Sequence, residues 1–230
     1  MISDNDLNSC PEPVARYLKK AGVVGMRHKS FAHILHDGEF RMKPKQKWLP
    51  IRGEYFFKPE LFSFDWQARI KLFPLIFISV KDEYENGEGR SRVKLGSIFP
   101  IADQSGTEIS ESSLARLLIE FSMIPTALVP NANLRWESID SNHARVILKH
   151  NKFEVAAIFQ FDEKGLPLKT SIDRFGNFDG VMQKKSFVCD LSDYQAHEGL
   201  LIPTDIRGCW DFGIEPFYWL HFKIRSVHFE

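Results

Sequence analysis

The residue types most able to do chemistry gather around one dipeptide. Asp82, Glu83, Glu85 and Glu88 flank Asn86-Gly87, and Arg90 and Arg92 follow directly. Carboxylates in such a group suit general acid–base work at the mouth of a pocket, or cross-strand ion pairs on a wet hairpin. No nucleophile or orienting partner stands beside them, so no catalytic residue is assigned. Among the histidines, His28, His33 and His36 share one stretch, but residues three apart on a strand point to opposite faces. HExxH and clustered Cys/His spacings are absent, so no metal ligands are assigned. The cysteines, Cys10, Cys189 and Cys209, are odd in number and widely spaced, which points away from a disulfide framework. Cys189 and Cys209 sit in apolar strand patterns where thiols are inert. GxSxG is missing, and Gly87-Glu88-Gly89 lacks the helix and GK[ST] of a phosphate loop, so no cofactor is expected.

A second charged group is Arg41, Lys43, Lys45 and Lys47, alternating with Met42, Pro44, Gln46 and Trp48. On a strand the four cations share one face. They would either protect a sheet edge or bind anions such as phosphates or lipid headgroups.

The elements that must position these groups are mostly strands. Phe62, Phe64, Trp66, Ala68, Ile70 and Leu72 alternate with Ser63, Asp65, Gln67, Arg69 and Lys71, the period of a half-buried strand. Leu75 to Val80 continues into a second strand, Asn86-Gly87 supplies a two-residue turn, and Arg90 to Leu95 returns. Asp37-Gly38 predicts another hairpin, with strands over 26–36 and 39–48. Residues 9–22 predict a helix with a Ser9/Glu12 capping box and Gly22 just past its end. A central helix is predicted over 110–122, capped by Ser110, with Leu114, Leu117, Leu118 and Phe121 on one face. The second half reads as strands joined by short turns without a βαβ rhythm. These readings give an α+β chain, mainly β, with a large antiparallel sheet and helices, in a single domain spanning 1–230.

Composition narrows function further. Lys+Arg and Asp+Glu are both 30, so no net field draws the chain to nucleic acid. The 20 Phe, 5 Trp and 5 Tyr suit a thick core or a cavity lined with rings. No apolar run reaches membrane-span length, so no integral membrane segment is expected. The acidic, polar start, Met1 to Asp6, has no signal-peptide character, and a cytoplasmic location is expected.

Several stretches together resemble a bacterial family of unknown function. They are Pro13-Val14-Ala15-Arg16-Tyr17-Leu18, Arg41 with Trp48-Leu49-Pro50, Phe64-Asp65-Trp66-Gln67-Ala68-Arg69 and Lys81 to Gly89. Ile124 to Pro130, Arg135 to Asp140 and Ile202-Pro203-Thr204 continue the series in the same order. The resemblance implies a half-barrel sheet curled over helices, similar to lipoprotein-localisation carriers (LolA/LolB-like), which hold acyl chains between sheet and helices. The expected function is a binding module for a lipid or other apolar or amphipathic small molecule. Phe64, Trp66, Ile70, Ile78, Val93, Leu117 and Phe121 are the expected ligand-binding wall. An enzyme using the Asp82 or Glu83 carboxylate at a pocket rim and a protein-interaction module are the alternatives.

Overall fold

In the computed structural model, which describes residues 1–213 and 215–230, two meanders join into one antiparallel sheet. The first comprises β1 (Ala32–Phe40), β2 (Leu49–Lys58), β3 (Ser63–Phe73), β4 (Ile76–Glu85), β5 (Glu88–Leu95) and β6 (Phe99–Ser105). The second comprises β7 (Leu134–Ser138), β8 (His143–His150), β9 (Phe153–Phe161), β10 (Pro167–Phe178), β11 (Val181–His197), β12 (Leu200–Asp211) and β13 (Phe217–Phe229). Pairing of β1 with β13 fuses them into a 13-stranded sheet, ordered β6-β5-β4-β3-β2-β1-β13-β12-β11-β10-β9-β8-β7. The chain therefore reaches β7 from β6 by travelling from one sheet edge to the other. It does so through α2 (Thr107–Glu120) and two short 3-10 turns, and α2 packs against β5, β9 and β10. The expected architecture, a large curved antiparallel sheet over helices, is the observed one.

Alternation on β3 produces the expected faces. Phe64, Trp66, Ala68 and Ile70 are buried, while Gln67, Arg69 and Lys71 are exposed. Asn86 and Gly87 close the β4–β5 hairpin at φ +53° and +85°, the left-handed pair that a two-residue turn needs. The N-terminal helix α1 (Glu12–Lys20) is shorter than expected and starts after Pro11 rather than at a Ser9/Glu12 box. Its end matches the sequence reading. Gly22 takes φ +82°, and Gly22 and Val23 donate back to Lys19 and Leu18. Helix α2 begins at Thr107, so Ser110 lies inside it. The Ser110 hydroxyl donates to the Gly106 carbonyl at 2.8 Å and accepts the Gly89 N–H at 3.0 Å, tying α2 to β5.

Two strand expectations are corrected. Asp37-Gly38 is not a turn: β1 runs straight through it, paired with β2 and β13 on either side. Gly38 is needed there because a Cβ would lie 1.9 Å from the His221 carbonyl oxygen on β13. Lys43, Lys45 and Lys47 accordingly sit in the β1–β2 connection and not on a strand. Since β1 and β2 are interior to the sheet, these cations do not protect an edge.

Candidate functional site

The second half of helix α2 is apolar around most of its circumference, with Leu114, Ala115, Leu117, Leu118 and Ile119 all buried. Arg116 and Glu120, one turn apart, therefore project into the space under the sheet. Each nitrogen of the Arg116 guanidinium has a partner. Its Nε donates to Glu120 Oε1 at 2.7 Å, Nη1 to Asp82 Oδ2 of β4 at 2.6 Å, and Nη2 to the Tyr55 hydroxyl of β2 at 2.7 Å. Tyr55 in turn donates to Glu120 Oε1 at 2.6 Å, and Ser91 donates to Asp82 Oδ1 at 2.6 Å. The cation also lies 4.6 Å from the Trp66 ring centre and 5.2 Å from that of Phe64. Burial disfavours its charge, but Glu120, Tyr55 and Asp82 outweigh that and hold Arg116 protonated well above the usual range. Burial raises the Tyr55 pKa, so the phenol stays a donor.

Beside this cluster, Trp66 Nε1–H donates to His36 Nε2 at 2.9 Å. His36 is buried, and burial together with nearby Arg116 pushes its pKa down to about 3. The imidazole is therefore a neutral acceptor. Gly53 makes room for it, since a Cβ there would stand 2.6 Å from His36 Nε2.

Arg174 on β10 is a second cation in the same space, with different surroundings. Its Nε donates to the Ser112 hydroxyl at 3.1 Å, and its guanidinium packs over the Phe187 and Trp210 rings at 5.1 and 5.6 Å. Among the described residues no carboxylate lies at ion-pair distance from it. Burial and the like charge of Arg116 lower its pKa to about 10, which leaves it charged at neutral pH. Trp219 Nε1 and Glu120 Oε2, also in this space, are buried without a hydrogen-bond partner.

These groups surround two adjoining chambers. The inner one, of about 90 Å³, is walled by Trp66, Met123, Leu191, Ile206 and Phe222, with Cys189 on β11. Burial raises the Cys189 thiol far above its usual value, so it is no nucleophile. The outer chamber, about 190 Å³ and more polar, is bordered by Ser91, Gln104, Ser113, Asn177 and Met182. Asp82, Arg116, Arg174 and Trp219 line both and mark the junction.

Of the seven residues expected as a ligand wall, Trp66 lines the inner chamber. Phe64, Ile70, Leu117 and Phe121 are buried in the core, and Ile78 and Val93 are half-buried. Asp82 faces the chambers with both oxygens taken, whereas Glu83 pairs with Lys81 and Arg92. His33 pairs with Glu54, apart from His36, and no metal-binding group of His, Cys, Asp or Glu forms among the described residues. Arg116, Glu120 and Arg174 were not singled out from sequence. The available signal was a charged i,i+4 pair, Arg116 and Glu120, set among the apolar residues of 114–119.

Fold and site together define a curved antiparallel sheet closed by a helix over a cavity with a charged junction. The chain belongs to the family of unknown function DUF6544, whose family model matches residues 1–222. No curated protein matches it. Among solved structures, a LolA superfamily protein from Nitrosomonas europaea aligns at TM-score 0.46 and 12% identity, covering 93% of this chain and 91% of that one. A β-barrel-like protein of the domain of unknown function DUF1849 from Brucella abortus aligns at TM-score 0.27 and 10% identity, covering 88% and 99%. No helix among the described residues is long and apolar enough to cross a membrane.

Proposed function

We propose that the protein is a binding module for an anionic amphiphile. Its acidic head rests on Arg174 at the junction, and its apolar part enters the inner chamber. The observation that carries this reading is Arg174, a cation held among aromatic rings with no carboxylate at ion-pair distance among the described residues, on a junction it shares with a buried Trp219 N–H that has no acceptor. A guanidinium so placed is matched by a carboxylate or similar oxyanion, and the indole N–H by one further acceptor oxygen.

Volume limits the apolar part. An engineered apolar cavity that takes benzene measures about 150 Å³, and the inner chamber is smaller at about 90 Å³. It accommodates a few carbons. A longer chain displaces Met123, whose unbranched side chain repacks readily. Phe64, Leu117 and Phe121 support the walls from behind, leaving Trp66 as the sequence-predicted residue that meets the ligand. The rim-carboxylate alternative is weakened because Asp82 is committed to Arg116 and Ser91.

Titration with dodecanoate and with dodecanol, followed by tryptophan fluorescence, tests the reading. Dodecanoate is expected to bind about 10- to 100-fold more tightly, the worth of one charge-assisted hydrogen-bonded pair. Equal affinity for the two, or no binding of either, refutes it.

A further inference from the structure

Three alternate connections, β1–β2, β3–β4 and β5–β6, lie side by side at one end of the sheet. Ile51 at the start of β2 pairs with Ile70 near the end of β3, and Ile78 near the start of β4 bridges Gly96 after β5. Their large apolar side chains point into solvent: Leu75 is 91% exposed and Ile98 77%, with Met42, Phe73 and Phe99 also exposed. Exposed apolar residues scattered singly are ordinary, but a contiguous group on adjacent turns is not.

The charge of this end is one-sided. Residues 41–48, 71–77 and 94–101 contain no Asp or Glu, while Lys43, Lys45, Lys47, Lys71 and Lys94 all lie there and are exposed. The ion-paired lysines of the described residues, Lys19, Lys81, Lys169 and Lys184, are elsewhere. At the opposite end of the same strands, Glu60 lies in the β2–β3 connection beside Lys58, and Glu85 and Glu88 flank the Asn86-Gly87 turn of β4 and β5. A chain of zero net charge is thus polarised across this meander.

We infer that this end docks on a bilayer surface bearing anionic headgroups, with Phe73, Leu75, Ile98 and Phe99 entering the interface and the lysines on the headgroups. Anionic headgroups provide the opposite charge at the spacing of a surface rather than at one point, and the interface accepts apolar side chains that water does not. The Pro74-Leu75 and Ser97-Ile98 tips are short enough to present those side chains without unfolding a strand. The docking end also adjoins the cavity wall. Arg41 at the start of the β1–β2 connection donates its backbone N–H to the Trp219 carbonyl at 2.9 Å and stacks on Trp48 and Phe217. An amphiphile leaving or entering at the Trp219 junction would therefore do so near the membrane. Docking itself does not depend on cavity contents, because none of these lysines or exposed apolar residues lines either chamber.

Sedimentation with extruded vesicles of phosphatidylcholine alone, or of phosphatidylcholine with phosphatidylglycerol, tests the inference on the full chain. Binding is expected to the phosphatidylglycerol vesicles and to weaken with added salt. Lys43→Gln/Lys45→Gln/Lys47→Gln is expected to reduce it on the order of 100-fold. Leu75→Ser/Ile98→Ser is expected to reduce it on the order of 10-fold and leave the remainder more salt-sensitive. All five substituted positions are exposed, so circular dichroism should show unchanged folding in both variants. No binding to phosphatidylglycerol vesicles at low salt overturns the inference, as does equal binding to phosphatidylcholine alone. A wild-type dimer that Leu75→Ser converts to monomer also overturns it, by making the surface an interface between copies.

Discussion

Arg116 and Arg174 occupy the same cavity and carry the same group, yet their surroundings differ in kind. Arg116 spends its donors on Glu120, Asp82 and Tyr55, so three elements of the fold converge on one guanidinium. Arg174 meets one neutral hydroxyl and two rings. A cation paired with carboxylates through the fold fixes structure, because removing it strands those carboxylates. A cation with no carboxylate partner retains charge and donors for something that is not part of the chain. The cavity thus divides into a side that holds the sheet to α2 and a side available to a ligand.

Replacing Arg116 attacks the first side and has the largest expected effect. Arg116→Met leaves Asp82 and Glu120 facing each other's charge in a poorly solvated space, and a loss of ~3–5 kcal/mol in unfolding free energy is expected. Urea denaturation measures it. A loss below about 1 kcal/mol would erase the distinction between the two arginines, since it would put both in the class of replaceable cations.

His36 gives a pH signature to the same side. Its folded-state pKa of about 3 lies below the value near 6.5 that an unfolded chain would show. Between those values the unfolded state binds a proton that the folded state does not. Stability from this group is therefore complete above pH ~6.5 and falls as pH drops towards ~3, by up to about 1.4 kcal/mol per pH unit. His36→Gln keeps an acceptor for Trp66 and should remove this part of the acid slope. Chemical denaturation of both proteins at neutral and mildly acidic pH makes the comparison; parallel slopes would show that His36 protonates freely in the fold.

What the sequence disclosed follows the range of the interactions involved. The β3 alternation and the Asn86-Gly87 turn are decided within a few residues, and both are observed. Asp37-Gly38 carries the same local turn chemistry but is overridden by a distant strand, because its glycine is required for close approach to His221. The charged cavity is more distant still. Tyr55 and Arg116 are 61 positions apart, and Arg174 is 62 from Ser112. Aromatic abundance indicated that rings would meet under the sheet, and Trp66 does stand there. Which charges would join them depended on α2 crossing between the sheet's edges, a topology that no local pattern encodes.

Arg174→Met examines the other side, and its expected effect on stability is the smallest. Methionine preserves most of the volume against Phe187 and Trp210 while removing a desolvated charge repelled by Arg116. Ser112 is not stranded by the change, since its hydroxyl already donates to the Phe175 carbonyl at 2.6 Å. Unfolding free energy should stay constant or rise by about 1 kcal/mol, while dodecanoate affinity falls 10- to 100-fold and dodecanol affinity holds. That opposition, stability kept while one ligand chemistry is lost, is what a cation retained for binding predicts. A loss of several kcal/mol would instead make Arg174 a structural partner of Ser112 and the rings, and both arginines would then belong to the scaffold.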